Sequence, residues 1–176
     1  MITYETGDAT DPPLSEPFII AHVLSTAGVY GRGFAAAVAH RYPTAKARYV
    51  AWATPYRLDG SVPLGSDLPY GIPFELGSIQ WVAVGRDLLG HHPWFGRWVV
   101  NMVAMEGLRS SRNPRPLNLD ALEQCLCRLS SGTLGRPVAM PRIGCGLAGG
   151  AWEVVEPILN RTLSGVDVHV YDPPDG

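Results

Sequence analysis

Two glycine-bearing loops hold the residues best placed to do chemistry. The first is Ser25–Gly33, which follows the apolar run Phe18–Leu24 and precedes the alanine-rich stretch from Phe34. The second is Ile143–Gly150, which follows Pro137–Met140 and precedes Trp152–Leu163. Glycine lets a backbone approach a ligand closely and take positive φ. A helix start beside it offers unpaired N–H groups and the positive end of a dipole. Two such loops facing each other would make a diphosphate cradle; each alone could equally be a tight strand-to-helix turn. Gly31-Arg32-Gly33 does not extend to a dinucleotide fingerprint, because Ala36 stands at its third glycine. Neither loop carries the Gly-Lys-Ser/Thr of a nucleotide-hydrolysing phosphate loop.

Other polar residues each admit two readings. Asp8, just past the first strand, could accept a hydrogen bond from an exocyclic amine or simply close an Asx-turn. Tyr171, ending the last strand, could stack on a base or cap the core. Glu106, just past Arg97–Val103, is a candidate general base or a solvated loop carboxylate. His22 lies inside an apolar strand and reads as a core histidine, and His91-His92 as exposed loop. Cys145 lies between glycines with no adjacent His, which argues against a nucleophile. Cys125, Cys127 and Cys145 have no zinc spacing and read as reduced thiols, so no metal is expected.

The elements that must position these groups alternate in type. Strands are expected at Ile2–Tyr4, Phe18–Leu24, Gly77–Val84, Arg97–Val103, Pro137–Met140 and Val166–Tyr171. Helices are expected at Phe34–Tyr42, at Thr44–Trp52 with Thr44 as N-cap, at Asn118–Leu129 and at Trp152–Leu163. Arg109–Pro116 is a breaker cluster. Pro55–Phe74 and Gly85–Gly96 read as long loops, the former a possible lid. Strands apolar on both faces predict an α/β fold with helices on both sides of a central sheet. Ligands bind such sheets at the carboxyl ends of the strands.

Length and composition bound the rest. The 176 residues suit one domain, with 46% hydrophobic and 17% charged residues arguing against disorder. The net charge of -2 provides no field to track a nucleic-acid backbone, so nucleic acid is expected only as a modified substrate. No leader-like N-terminus and no membrane-length apolar run is present, so a cytoplasmic location and no membrane partner are expected. Lys46 is the only lysine, against thirteen arginines.

Ile2-Thr-Tyr-x-x-Gly-Asp8, Ala21-His22, Gly31-x-Gly33 and Pro141-Arg-Ile-Gly-Cys-Gly-Leu147 followed by Trp152-Glu153 together resemble the macrodomain family. Within it they are most similar to the branch of terminal ADP-ribose protein glycohydrolase, which also contains bacterial antitoxin hydrolases. The resemblance runs from Ile2 to Tyr171. It implies a single macrodomain over 1–176, with 173–176 a tail, folded as a three-layer α/β/α sandwich with a central mixed sheet. It implies ADP-ribose, or an ADP-ribosylated protein, as the partner, with no further cofactor. Asp8 would contact the adenine amine, with a backbone contact from Ala9. Ser25, Gly31, Arg32, Gly33 and Phe34 would line the first phosphate loop. Ile143, Gly144, Cys145, Gly146, Leu147 and Ala148 would surround the diphosphate and distal ribose. Tyr171 and Asp172 would lie beside the adenine and its ribose.

The chain departs from that branch where the branch does its chemistry. The branch uses a lysine that attacks the ribose C1″, and an aspartate directly after Gly-Cys-Gly-Leu. Here those positions fall near Ala104 and at Ala148, and Lys46 lies far from both loops in sequence. Two functions follow. One is a hydrolase removing ADP-ribose from Glu or Asp esters without that lysine and aspartate, with Glu106 orienting water. The other is a reader that binds ADP-ribose without chemistry.

Overall fold

The computed structural model describes residues 2–15, 17–54, 72–84 and 96–174. Six strands form one sheet: β1 (Ile2–Thr6), β2 (Ile19–Ser25), β3 (Ile79–Ala83), β4 (Trp98–Met105), β5 (Val138–Pro141) and β6 (Val168–Asp172), in the order β1-β6-β5-β2-β4-β3. Every neighbouring pair is parallel except β3 with β4. The five parallel strands therefore all end at one edge of the sheet. The sheet is mixed and covered on both faces, as expected. The long loops fall largely outside the described residues, including His91, His92 and the supposed lid apart from Ile72–Phe74.

Alternation along β2 and β4 divides the core. Ile19 and Ala21, with Val100, Met102 and Ala104, face α3 (Leu119–Gly132) and α4 (Trp152–Thr162). Phe18, Ile20 and Leu24, with Val99 and Val103, face α1 (Phe34–Arg41) and α2 (Pro43–Ala53). Leu122, Cys125, Leu126 and Leu129 form the buried stripe of α3; of the spacing Leu119, Leu122, Leu126 and Leu129 that the sequence shows, Leu119 lies exposed at the helix start. Burying that stripe against the sheet removes whole side chains from water, each worth about 1.5–3 kcal/mol.

Helix starts differ in how they are capped. Asn118 caps α3, its side chain accepting from the Ala121 N–H at 2.9 Å. The cap assigned to Thr44 is displaced: Tyr42 holds the N-cap position and Pro43 opens α2. A proline at the first helical position has no N–H to leave unsatisfied, and its fixed φ suits the turn. β4 runs two residues further than expected, to Met105, because a bulge between Leu24 and Ser25 keeps Ser25 paired with Met105.

The connections determine where a cleft can form. From β2 the chain crosses α1 and α2 to β3, on one side of the strand order. From β5 it crosses α4 to β6, on the other side and the opposite face. β2 and β5 are adjacent, so their exits diverge. This is a topological switch point, where a crevice opens beyond the strand ends.

Candidate functional site: a cleft between two glycine loops

The two loops singled out from the sequence leave the sheet at that switch point. They touch: a Cβ on Gly33 would stand 3.3 Å from Leu147 Cδ1. Gly33 takes φ 55°, which favours glycine. Gly31, with φ 150°, and Gly146 face open space, with nothing within 4 Å of an added Cβ. Each loop thus exposes a stretch of backbone without a side chain over it. Gly33 and Ala151, the N-cap residues of α1 and α4, provide no side-chain cap, so the N–H groups of each helix's first two residues are left for other acceptors.

The first loop is anchored from below. Ser25, buried at the end of β2, donates to the Gly107 carbonyl at 2.6 Å and accepts from the Ala27 N–H at 3.0 Å. Its carbonyl accepts from the Tyr49 hydroxyl. Beneath it lies a buried polar network. His22 Nε2 donates to Asn101 Oδ1 at 2.9 Å, Asn101 Nδ2 donates to Gln80 Oε1 at 2.9 Å, and Gln80 Nε2 donates to the Arg48 carbonyl at 3.0 Å. Burial holds His22 down at about 4, against a smaller opposing effect of Asn101. It is therefore neutral, a core histidine as the sequence suggested. Its ring packs edge-on to Phe34, the first residue of α1, at 5.9 Å. Arg32, beside Gly33, is exposed.

The second loop is backed by a segment that the sequence marked only as a breaker cluster. Residues 106–117 follow β4 and touch both loops. The Gly107 N–H donates to Thr26 Oγ1 at 3.0 Å, and the Leu117 N–H donates to the Ala148 carbonyl at 3.1 Å. Gly149, at φ 71°, is pressed so closely that a Cβ would lie 2.7 Å from the Pro114 carbonyl. Arg109 reaches the Gly146 carbonyl at 3.5 Å. The only sequence signal for this role was its place after a parallel strand's carboxyl end. Within the loop, Ile143, Gly144 and Ala148 are buried, Cys145 is half-buried, and Gly146 and Leu147 are exposed. The Cys145 thiol donates to the Ile143 carbonyl at 3.5 Å, and burial pushes its pKa up, away from thiolate chemistry.

At the far end of the cleft, Asp8 closes an Asx-turn. Its Oδ1 accepts from the Thr10 N–H at 2.8 Å and the Thr10 hydroxyl at 2.7 Å. Its other oxygen lies 3.6 Å from Arg41 and the side chain is half exposed, so a further donor can still reach it. Ala9 is buried against Ala139 and Tyr171, with Phe34 packed on the group. Tyr171 is 2% exposed, so its ring caps the core and presents no open face to a base. Burial, with Glu5 nearby, pushes its hydroxyl up to about 12.

Asp172 sits in an ion pair that sequence reasoning missed. Arg142 Nε and Nη2 hold its two oxygens at 2.6 and 2.7 Å. The same guanidinium lies 5.5 Å from the Tyr4 ring centre and 5.2 Å from that of Trp152. The hydrogen bonds from Arg142, with its charge, hold the Asp172 carboxyl below its usual range. The clamp joins the end of β5 to the end of β6, directly before the second loop.

Catalytic groups are sparse. Glu106 is exposed and has no ion-pair partner among the described residues; its N–H donates to the Pro116 carbonyl at 2.8 Å. Ala104 is fully buried on the α3 side of the sheet, and Ala148 is 3% exposed. Among the described residues, no cluster of His, Cys, Asp or Glu could hold a metal ion. No helix among them is long and apolar enough to cross a membrane.

No family model and no curated protein matches this sequence. Solved structures do. A protein of unknown function from Bacteroides thetaiotaomicron superposes with a TM-score of 0.77, at 31% identity over 98% of each chain. A macrodomain protein from Streptomyces coelicolor superposes at 0.71, with 34% identity over 98% of this chain and 99% of the other. Thermosipho africanus DarTG, solved in complex with ADP-ribose, superposes at 0.62 with 19% identity, over 89% of this chain and 38% of that one. At that identity it is similar in fold alone.

Proposed function

This chain belongs to the macrodomain family, and from that premise we propose that its cleft binds ADP-ribose and releases it from esters of Glu and Asp side chains. The observation that carries the reading is the meeting of two loops at the switch point, where Gly33 lies against Leu147 and where Gly31 and Gly146 leave their backbone uncovered. A diphosphate there would be held by backbone N–H groups and two uncapped helix starts, which suits a protein of net charge -2. The ADP-ribose bound to the DarTG relative lends the ligand its identity. Asp8 keeps an oxygen for the adenine amine, and Ala9 supplies backbone beside it. The second loop surrounds the distal ribose, and Tyr171 and Asp172 shape the adenosine end from beneath.

The proposed reaction needs little from the protein. Water attacks the distal C1″, the bond from C1″ to the ester oxygen breaks, and the carboxylate leaves as an anion without needing a proton. The proton lost by water passes to Glu106 or to solvent. Glu106 is the candidate that orients this water, from a segment hydrogen-bonded to both loops. Neither Ala104 nor Ala148 can act as nucleophile or base, so no covalent enzyme intermediate is part of the scheme. The same two alanines favour the second reading, a reader that binds without turnover.

The test is incubation with protein carrying ADP-ribose on glutamate, followed as free ADP-ribose over time, beside a calorimetric titration with ADP-ribose. Release above the spontaneous rate is expected, falling about a hundredfold in Glu106→Ala. Tight binding without release makes the chain a reader. Absence of binding overturns the assignment of the cleft.

A further inference from the structure

The molecule's net charge is negative, yet the first loop and the segment behind the second are rich in arginine. Arg109, Arg112 and Arg115 lie on the segment 106–117, which carries one carboxylate, Glu106. Arg109 reaches the second loop at Gly146, and Arg115 packs against Gly149. Arg32 stands on the first loop beside Gly33, which meets Leu147. All four arginines are exposed, and none has a carboxylate within ion-pair distance among the described residues. By contrast, Arg41, Arg142 and Arg161 all engage Asp or Glu side chains. The same loops and segment carry exposed aliphatic side chains: Val29 at 53%, Leu108 at 53% and Leu147 at 46%.

We propose that these groups form a rim of the cleft that docks an acidic protein segment flanking the modified residue. The inference rests on the ADP-ribose reading of the cleft and adds the substrate class. Guanidinium forks pair with carboxylates, and the aliphatic side chains suit apolar residues interspersed among them. Single-stranded nucleic acid is held instead by a basic groove with aromatic stacking platforms, whereas the side chains interspersed here are aliphatic. Rim charges act on encounter rate and salt dependence and discriminate between partners. A modified glutamate within an acidic stretch would thus be selected over one flanked by lysines.

The experiment uses three ligands with ADP-ribose attached through a stable amide, so that turnover does not interfere. One is a peptide with Asp, Glu and Leu flanks, one has Lys flanks, and one is a single-stranded DNA oligonucleotide. Calorimetry is expected to show the acidic peptide binding about tenfold tighter than the Lys-flanked one. The ratio should fall toward one in 0.5 M salt, since exposed pairs are screened. It should also fall toward one in Arg112→Glu, while Arg112→Lys retains most of it and both variants bind free ADP-ribose as the parent does. Equal affinity for the two peptides, with free ADP-ribose still bound, overturns the rim assignment alone. Tighter binding of the DNA conjugate overturns it in favour of a nucleic-acid substrate. Failure to bind free ADP-ribose removes this inference together with the reading beneath it.

Discussion

At the scale of single residues, charge and burial make two predictions. His22 is buried with Nδ1 unpartnered, and its pKa is depressed to about 4. In the unfolded chain the imidazole returns to about 6.5. Between those values the unfolded state binds the extra proton, so stability falls as pH drops from 6.5 toward 4. The contribution to the loss is about 2 kcal/mol by pH 5 and about 3 kcal/mol at pH 4. Urea unfolding at pH 7 and pH 5 should show it, and His22→Gln should remove that part of the slope. The Arg142–Asp172 pair is bidentate but over a third exposed on the arginine side. Arg142→Lys should therefore cost only about 1 kcal/mol, from the lost fork and ring packing. In Arg142→Met the Asp172 carboxyl should titrate closer to 3.8, read by carbon NMR. An unchanged titration would show that the pair does not persist in solution.

At the scale of elements, the second loop separates stability from binding. Gly149→Ala places a Cβ 2.7 Å from the Pro114 carbonyl at a φ of 71°. It should destabilise by about 1–3 kcal/mol and weaken ADP-ribose binding, because the loop must leave the segment that backs it. Gly146→Ala meets nothing within 4 Å. Its stability should stay within about 0.5 kcal/mol of the parent, while the methyl group fills the cradle and weakens ADP-ribose about tenfold. Denaturation and calorimetry on the two variants distinguish the roles. Equal effects on both measures would contradict this division. The elements themselves were largely legible in the sequence. Helical spacing marked α3, a continuous apolar run marked β2, and the departures lie at the ends of strands and helices, such as α3 running on to Gly132, and at one cap.

At the scale of the whole molecule, the cleft is an interface between the two halves of the sheet. The first loop belongs to the β2–α1 side and the second to the β5–α4 side, so a ligand bound between them should tie the halves together. ADP-ribose at a hundred times its Kd should add about 2.7 kcal/mol of stability. For a chain of this size that raises the Tm by about 5–10 °C. AMP, lacking the distal ribose and the second phosphate, should raise it much less. A scan with equal shifts for the two ligands would confine binding to the adenosine end.

The sequence by itself determined the α/β class, the two glycine loops and the absence of the branch's catalytic lysine and aspartate from their expected positions. These are local properties: periodicity, turn chemistry and residue identity at a motif. Only the tertiary structure decided that β2 and β5 are neighbours, which brings the loops together. It also committed Asp172 to Arg142, committed Tyr171 to the core, and turned residues 106–117 into a support for both loops. Each of those depends on strand order and on partners 30 or more residues away. Single-sequence patterns carry no record of such pairings, because they encode which face a residue buries and not what it meets there.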